Sequence, residues 1–210
     1  MDKNEVIVAG TIGWHKLNMI SNRPFGTLKL RLDLPKFNFS HRGTDHIVNN
    51  PTLWLGVTVS KDDNGTFSKR TKNLLDTIDL GTLPYAVITG AKVKHWKAIN
   101  RESGASEIRF DIDCPVGGVH LTSKPVSPIN KCTFEGKVVN YEPNGKMLLE
   151  CSYLVPSTNE WKVRQVPIIY TSEFQATLTN KKVLLFGKAC SVTPNGDSKT
   201  YIVSDEIYEL

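Results

Sequence analysis

Apolar and polar residues alternate over most of this 210-residue chain, which is the period of β-strands with one buried face. Residues 6–13 (VIVAGTIG) predict a first strand and 27–34 a second, with Leu28, Leu30, Leu32 and Leu34 facing in and Thr27, Lys29, Arg31 and Asp33 facing out. The segment 14–26, which holds Trp14, His15, Lys16, Arg23 and Phe25, is expected to be a loop, and 35–52, with Phe37, Phe39, His41 and Arg42, an irregular stretch. A third strand is expected over 53–60, opening on Trp54. Leu74, Leu75 and Ile78 recur at helical spacing and predict a short helix over 71–80. Residues 85–113 then read as a long hairpin turning through 100–106. On its first arm Lys92, Lys94 and Trp96 share one parity and Ala91, Val93 and His95 the other. On its second arm Ile108, Phe110 and Ile112 lie opposite Glu107, Arg109, Asp111 and Asp113.

Two prolines in residues 124–129 (KPVSPI) mark an interdomain linker, after which the pattern begins again. Strands are expected over 131–141, 146–155 and 161–170, then a helical turn over 172–178, then a hairpin of 182–192 with 199–210. The halves match in sequence: Val6-x-Val8-Ala9-Gly10 with Cys132-x-Phe134-Glu135-Gly136, and Val87-Ile88-Thr89-Gly90 with Leu184-Leu185-Phe186-Gly187. The two glycines are 80 residues apart in the first half and 51 in the second, so the first copy carries 29 additional residues, expected in the loops after its first and second strands. Three strands, a short helix and two strands, done twice, predict an all-β chain of two tandem five-stranded barrels of OB type, each with a short helix between strands three and four. The expected domains are 1–123 and 130–210, with 124–129 between them. A β-sandwich is the alternative, but it does not explain a helix at that point in both copies.

Composition narrows the reading. Hydrophobic content of 40% and charged content of 22% are those of a folded globular chain. No apolar run approaches the roughly 20 residues that span a bilayer, and the N-terminus lacks the apolar core of a signal peptide. A cytoplasmic protein is expected, in the host cytoplasm if the chain is viral, and no membrane partner. The net charge of +5 is unevenly placed: residues 1–125 carry 17 Lys+Arg against 12 Asp+Glu, the rest 9 against 9. Any nucleic-acid face is therefore expected mainly in the first half. Cys114, Cys132, Cys151 and Cys190 are widely spaced, form no C-x-x-C pair, and read as small apolar residues rather than as zinc or redox groups. His41 and His46 have no partner ligands at metal spacing. Asp111 and Asp113, beside Arg109, fit a salt-bridged face better than a metal site. No phosphate-binding, G-x-S-x-G or H-E-x-x-H motif occurs, which argues against an enzyme, and no cofactor is expected.

The face of Lys92, Lys94 and Trp96 joins cationic charge to a flat ring, the combination that a single-stranded nucleic acid requires of a protein. The same residues also fit a solvated face with Trp96 packed under the loop. The second copy resembles the bacterial and phage single-stranded DNA-binding proteins with OB domains over most of its length. The likeness rests on Asn130-Lys131 leading into a strand that ends at Gly136, Asn159-Glu160-Trp161 opening strand three, Val183-Leu184-Leu185-Phe186-Gly187 in strand four, and Ile202-Val203-Ser204-Asp205-Glu206-Ile207 closing the barrel. In that family a tryptophan opening strand three stacks on bases, a role the resemblance gives to Trp161 and, more loosely, to Trp54. A second stacking tryptophan lies out along strand four, about where Trp96 stands six residues past Gly90. Two features depart from the family. The chain is expected to close in a strand made acidic by Asp205, Glu206 and Glu209 rather than in a flexible acidic-hydrophobic tail, which leaves recruitment of repair partners in doubt. It also carries two barrels where the family commonly assembles four, so the resemblance implies a homodimer.

The expected function is sequence-tolerant binding of single-stranded DNA in replication, recombination or repair. Trp96 and Trp54 are the expected stacking platforms, with Lys92, Lys94, Lys29, Arg31 and Arg101 on the sugar-phosphate backbone and Trp161 and Trp14 as further candidates. The competing reading is a protein–protein interaction module or a structural subunit of a replication, recombination or virion assembly, with the neutral second copy pairing chains. RNA stays open as a ligand, because stacking is indifferent to the 2′-hydroxyl.

Overall fold

Alternation is realised almost position by position. Leu28, Leu30, Leu32, Leu53, Leu55, Val57 and Val59 are all buried, each side chain contributing about 1.5–3 kcal/mol relative to exposure. The computed structural model describes residues 2–21, 23–41, 44–99, 104, 106–142, 146–155, 157–170, 178–192 and 199–210. Its strands in the first half are β1 (Asn4–Met19), β2 (Phe25–Asp33), β3 (Phe37–His41), β4 (Thr44–Val48), β5 (Thr52–Ser60), β6 (Tyr85–Ile99), β7 (Ser106–Pro115) and β8 (Val119–Thr122). Those of the second half are β9 (Ile129–Glu142), β10 (Lys146–Val155), β11 (Glu160–Tyr170), β12 (Lys182–Val192) and β13 (Lys199–Glu209).

Two closed circuits result. In the first, β1 pairs with β2, β2 with β5, β5 in parallel with β7, β7 with β6, and β6 with β1 again. In the second, β9 pairs with β10, β10 with β11, β11 in parallel with β13, β13 with β12, and β12 with β9. Each is a five-stranded barrel whose one parallel contact joins its third and fifth strands, the topology of the OB fold. The helix α1 (Lys69–Leu80) lies between the third and fourth strands of the first circuit. Ser68 caps it by accepting from Thr71 N at 3.2 Å, Gly81 ends it at φ 63°, and Leu74 and Ile78 turn inward. The helical turn expected over 172–178 falls, apart from Leu178, outside the described residues.

An asparagine repeats between the circuits. Asn4 donates to Val93 O at 3.0 Å and accepts from Val93 N at 2.9 Å; Asn130 does the same to Ala189 at 2.8 and 2.9 Å. In each barrel the side chain substitutes for a strand, tying the first strand to the fourth beyond their own pairing. The circuits are joined directly. Strands β1 and β9 pair antiparallel from Asn4↔Phe134 to Ala9↔Ile129, Thr52 of β5 pairs with Ser191 of β12, and the buried apolar side chains of both circuits form one connected cluster.

Four features differ from the sequence expectation. The expected loop 14–26 is mostly strand, because β1 runs on to Met19 and β2 starts at Phe25. The expected irregular stretch 35–52 contains the β3–β4 hairpin, whose Phe37 packs on Cys190 and Val203 of the second circuit. Strand β8 adds an unforeseen partner to β6. The additional residues of the first copy are not mainly after its first two strands. Gly10 and Gly136 lie against the carbonyls of Asp33 and Glu150, and Asp33 pairs with Thr52 as Glu150 pairs with Gln165, which makes Leu55 and Ile168 equivalent. Likewise Ile88 pairs with Val8 as Leu185 pairs with Phe134. Leu55 and Ile88 are 33 positions apart and Ile168 and Leu185 only 17, so 16 of the 29 belong to the segment that carries α1.

Candidate nucleic-acid interface

The outer face of the first circuit is set by a bulge in β1. Pairing with β2 shifts register between Ile12 and Trp14, which leaves Gly13 without a partner and reverses the inside–outside alternation. Before the bulge Val6 and Val8 point into the barrel. After it His15 and Leu17 stand opposite Leu30 and Leu28, and Trp14 and Lys16 are turned outward. A Cβ at Gly13 would come within 2.6 Å of an Arg31 guanidinium nitrogen and 2.9 Å of an Asp33 carboxylate oxygen, so a larger residue there would displace the ends of those two side chains.

Two cross-strand rows follow. Trp14 pairs with Arg31 and Arg31 with Trp54, and the two indoles meet edge to face at 5.0 Å between centroids. Trp14 is 39% exposed and Trp54 half-buried, its backbone N–H donating to Ser191 Oγ at 3.0 Å. Arg31 donates from Nη2 to Gly13 O at 3.3 Å, but its Nε has no acceptor, with Asp33 Oδ1 at 3.7 Å. The adjacent row runs Lys16, Lys29, Gly56, Asp113, Lys92. Lys16 and Lys29 are directly opposite and exposed, and among the described residues neither has a carboxylate within 4 Å. Like charges opposed across strands are destabilising unless an anion separates them. At the β2 end of the face, Arg23 lies over the exposed Phe25 ring at 5.7 Å.

Trp14, Lys29, Arg31 and Trp54 are thus brought together, with Lys92 at the far end of the second row. Lys94 is not free for a phosphate, because it is ion-paired with Asp113, which also accepts from Thr58 Oγ1 at 2.9 Å. Trp96 is in β6 opposite Arg109, but its side chain, like all of Arg101, lies outside the described residues. Trp161 is 61% exposed on β11, opposite Leu154 and away from this face. It does not match Trp54 in register: Trp54 pairs with Arg31 as Pro167 pairs with Leu148, so Trp161 is six residues short of the equivalent place. Lys16 is the residue that sequence reasoning left out. It reads as a loop residue because the bulge at Gly13 breaks the period that would have carried β1 onward.

The remaining titratable groups have structural causes. Burial pushes the thiols of Cys114 and Cys151 up to about 12 and that of Cys190 up to about 11, and Cys132 goes higher still, so all four stay protonated apolar fillers. No group of His, Cys, Asp and Glu suited to a metal ion occurs among the described residues. None of the described helices is long and apolar enough to cross a membrane.

No protein-family model and no curated protein matches the chain. Solved structures do. A deletion mutant of the single-stranded DNA-binding protein from Thermus aquaticus matches with a TM-score of 0.60 at 12% identity, over 100% of this chain and 95% of its own. The wild-type protein from the same organism matches at 0.58 and 12%, over 100% and 93%. The whole chain therefore has the OB-type fold of a single-stranded DNA-binding protein.

Proposed function

We propose that the chain binds single-stranded DNA without sequence preference, with the outer face of β1, β2 and β5 as its main contact. The observation that carries this reading is the exposed Lys16–Lys29 opposition beside the Trp14–Arg31–Trp54 row. A phosphate backbone relieves the opposed charges, and bases stack on the adjoining rings, each stacked base contributing about 1–3 kcal/mol. Lys92, at the far end of the second row, adds a further exposed cation, and Trp96 and Arg101 are proposed as further contacts on the strength of their residue types in the sequence. Such binding needs no catalytic group, cofactor or metal. Replication, recombination or repair is the setting in which a sequence-tolerant binder of this kind acts.

The test is intrinsic tryptophan fluorescence during titration with oligothymidine at low and then moderate salt, with an equal-length duplex as control. Strong quenching by the single strand alone, weakened by salt, is expected. An unchanged signal from folded protein would reject the reading.

A second reading, association of chains through the second barrel, is favoured by one feature. Phe186 and Tyr208, 37% and 51% exposed, meet edge to face at 6.2 Å on the outside of β12 and β13, next to the exposed Leu210. An aromatic pair in that position suits pairing with a second copy. Sedimentation equilibrium of the wild type and of Phe186→Ser with Tyr208→Ser checks it, a dimer that becomes monomeric being expected; an unaltered mass would remove the surface from consideration.

A further inference from the structure

The ribbon of β10 and β11 leaves the second barrel and reaches the first. On its β10 edge Asp2 N donates to Ser152 O at 3.0 Å and Ser152 N to Asp2 Oδ2 at 2.8 Å; on its β11 edge Gln165 N donates to His95 Nδ1 at 3.0 Å. Between the ribbon, the start of β1 and the outer end of the Lys16–Lys29 row is a cleft of about 200 Å³. On the ribbon side, the Arg164 guanidinium lies over the Tyr153 ring at 3.9 Å, and Lys3 and Lys92 line the first-barrel side. Two acids also line it. Asp2 is bonded to the Ser152 amide and to Lys182 at 3.2 Å, which leaves Glu5 against three cations. Among the described residues, none of Lys3, Lys92 and Arg164 has a carboxylate within 4 Å.

We propose that this cleft takes one nucleotide of a bound single strand and leads the strand from the first barrel onto the second. The base stacks on the guanidinium of the Arg164–Tyr153 pair, and its phosphate lies between Lys3 and Lys92. Lys92 belongs to both the cleft and the row that starts at Lys16 and Lys29, so a strand that follows the row past Gly56 and past Asp113, whose charge Lys94 offsets, arrives at the cleft and meets the Arg164 face of the ribbon. The second barrel, neutral overall, would then contribute through one edge. This inference rests on the proposed function, and its test separates the two.

Affinity for oligothymidines of about 8 and about 20 nucleotides, lengths that cover one OB barrel or both, is compared between wild type and Arg164→Gln, with folding followed by circular dichroism. The variant should lose about tenfold on the longer strand and little on the shorter. Equal affinity at both lengths, or an equal loss at both, would overturn the bridging role. Wild-type protein that binds neither length would reject the proposed function and this inference together. If Arg164→Gln does not fold, photocross-linking of unmodified protein to 5-iodouracil-substituted oligothymidine decides. Adducts at Tyr153 are expected, and adducts on the first barrel with none at Tyr153 would overturn the proposal.

Discussion

Lys16 and Lys29 are a pair that folding alone would not select. Two exposed ammonium groups directly opposite across a β-ladder destabilise it by about 0.2–1 kcal/mol. Lys29→Glu should therefore move stability and binding in opposite directions. Thermal unfolding is expected at an equal or slightly higher temperature, while affinity for a single strand falls by about tenfold or more. A fall in both would class Lys29 as a structural residue. Asp2 offers a different check at this scale. Burial would raise its carboxyl pKa, but the Ser152 backbone N–H and Lys182 outweigh burial and hold it below the usual carboxylate value. A lowered folded-state pKa gives stability that is present above the unfolded value and fades as pH drops through the folded one. The melting-temperature difference between wild type and Asp2→Asn should accordingly be largest near neutrality and shrink on acidification. A difference that does not vary with pH would show that the carboxylate charge is not what holds the ribbon.

At the scale of elements, the sequence was most legible where one period runs unbroken. The leucines of β2, the alternation of β5, the spacing of Leu74 and Ile78 in α1 and the second-half strands all stand near their expected places. It was least legible where an element changes phase or packs on something distant. The Gly13 bulge reverses β1 in the middle, so Trp14 and Lys16 read as loop although they are outward strand positions. The β3–β4 hairpin has no amphipathic period of its own, and Phe37 is buried only because Cys190 and Val203, far along the chain, cover it. The paired asparagines were within reach: Asn4 and Asn130 each stand two residues before the matched Val6 and Cys132. Their worth is testable, because Asn130→Ala strands a backbone N–H and a C=O of Ala189 in the interior. A loss of about 2–4 kcal/mol in denaturant unfolding is expected; a change below about 0.5 kcal/mol would mean that water takes over both groups.

At the scale of the whole molecule, the two circuits are held by the β1–β9 ladder, the Thr52–Ser191 bridge, the β3–β4 hairpin and the ribbon contacts at Asp2 and His95. Such continuity favours one cooperative unit, and calorimetry should record a single unfolding transition; two resolved transitions would show barrels that fold independently. The same continuity puts the cationic rows of the first barrel and the edge of the second on one path for an extended ligand. That the path begins on the face of β1, β2 and β5 is tested most directly by the salt dependence of oligothymidine affinity in wild type and in a Lys16→Ala, Lys29→Ala double variant. With about 0.7 counterion released per phosphate neutralised on a single strand, the double variant should have a log–log slope shallower by about 1.4, and an affinity at least about tenfold weaker at low salt. The same slope and affinity in both proteins, with both folded, would mean that the strand does not run over this face.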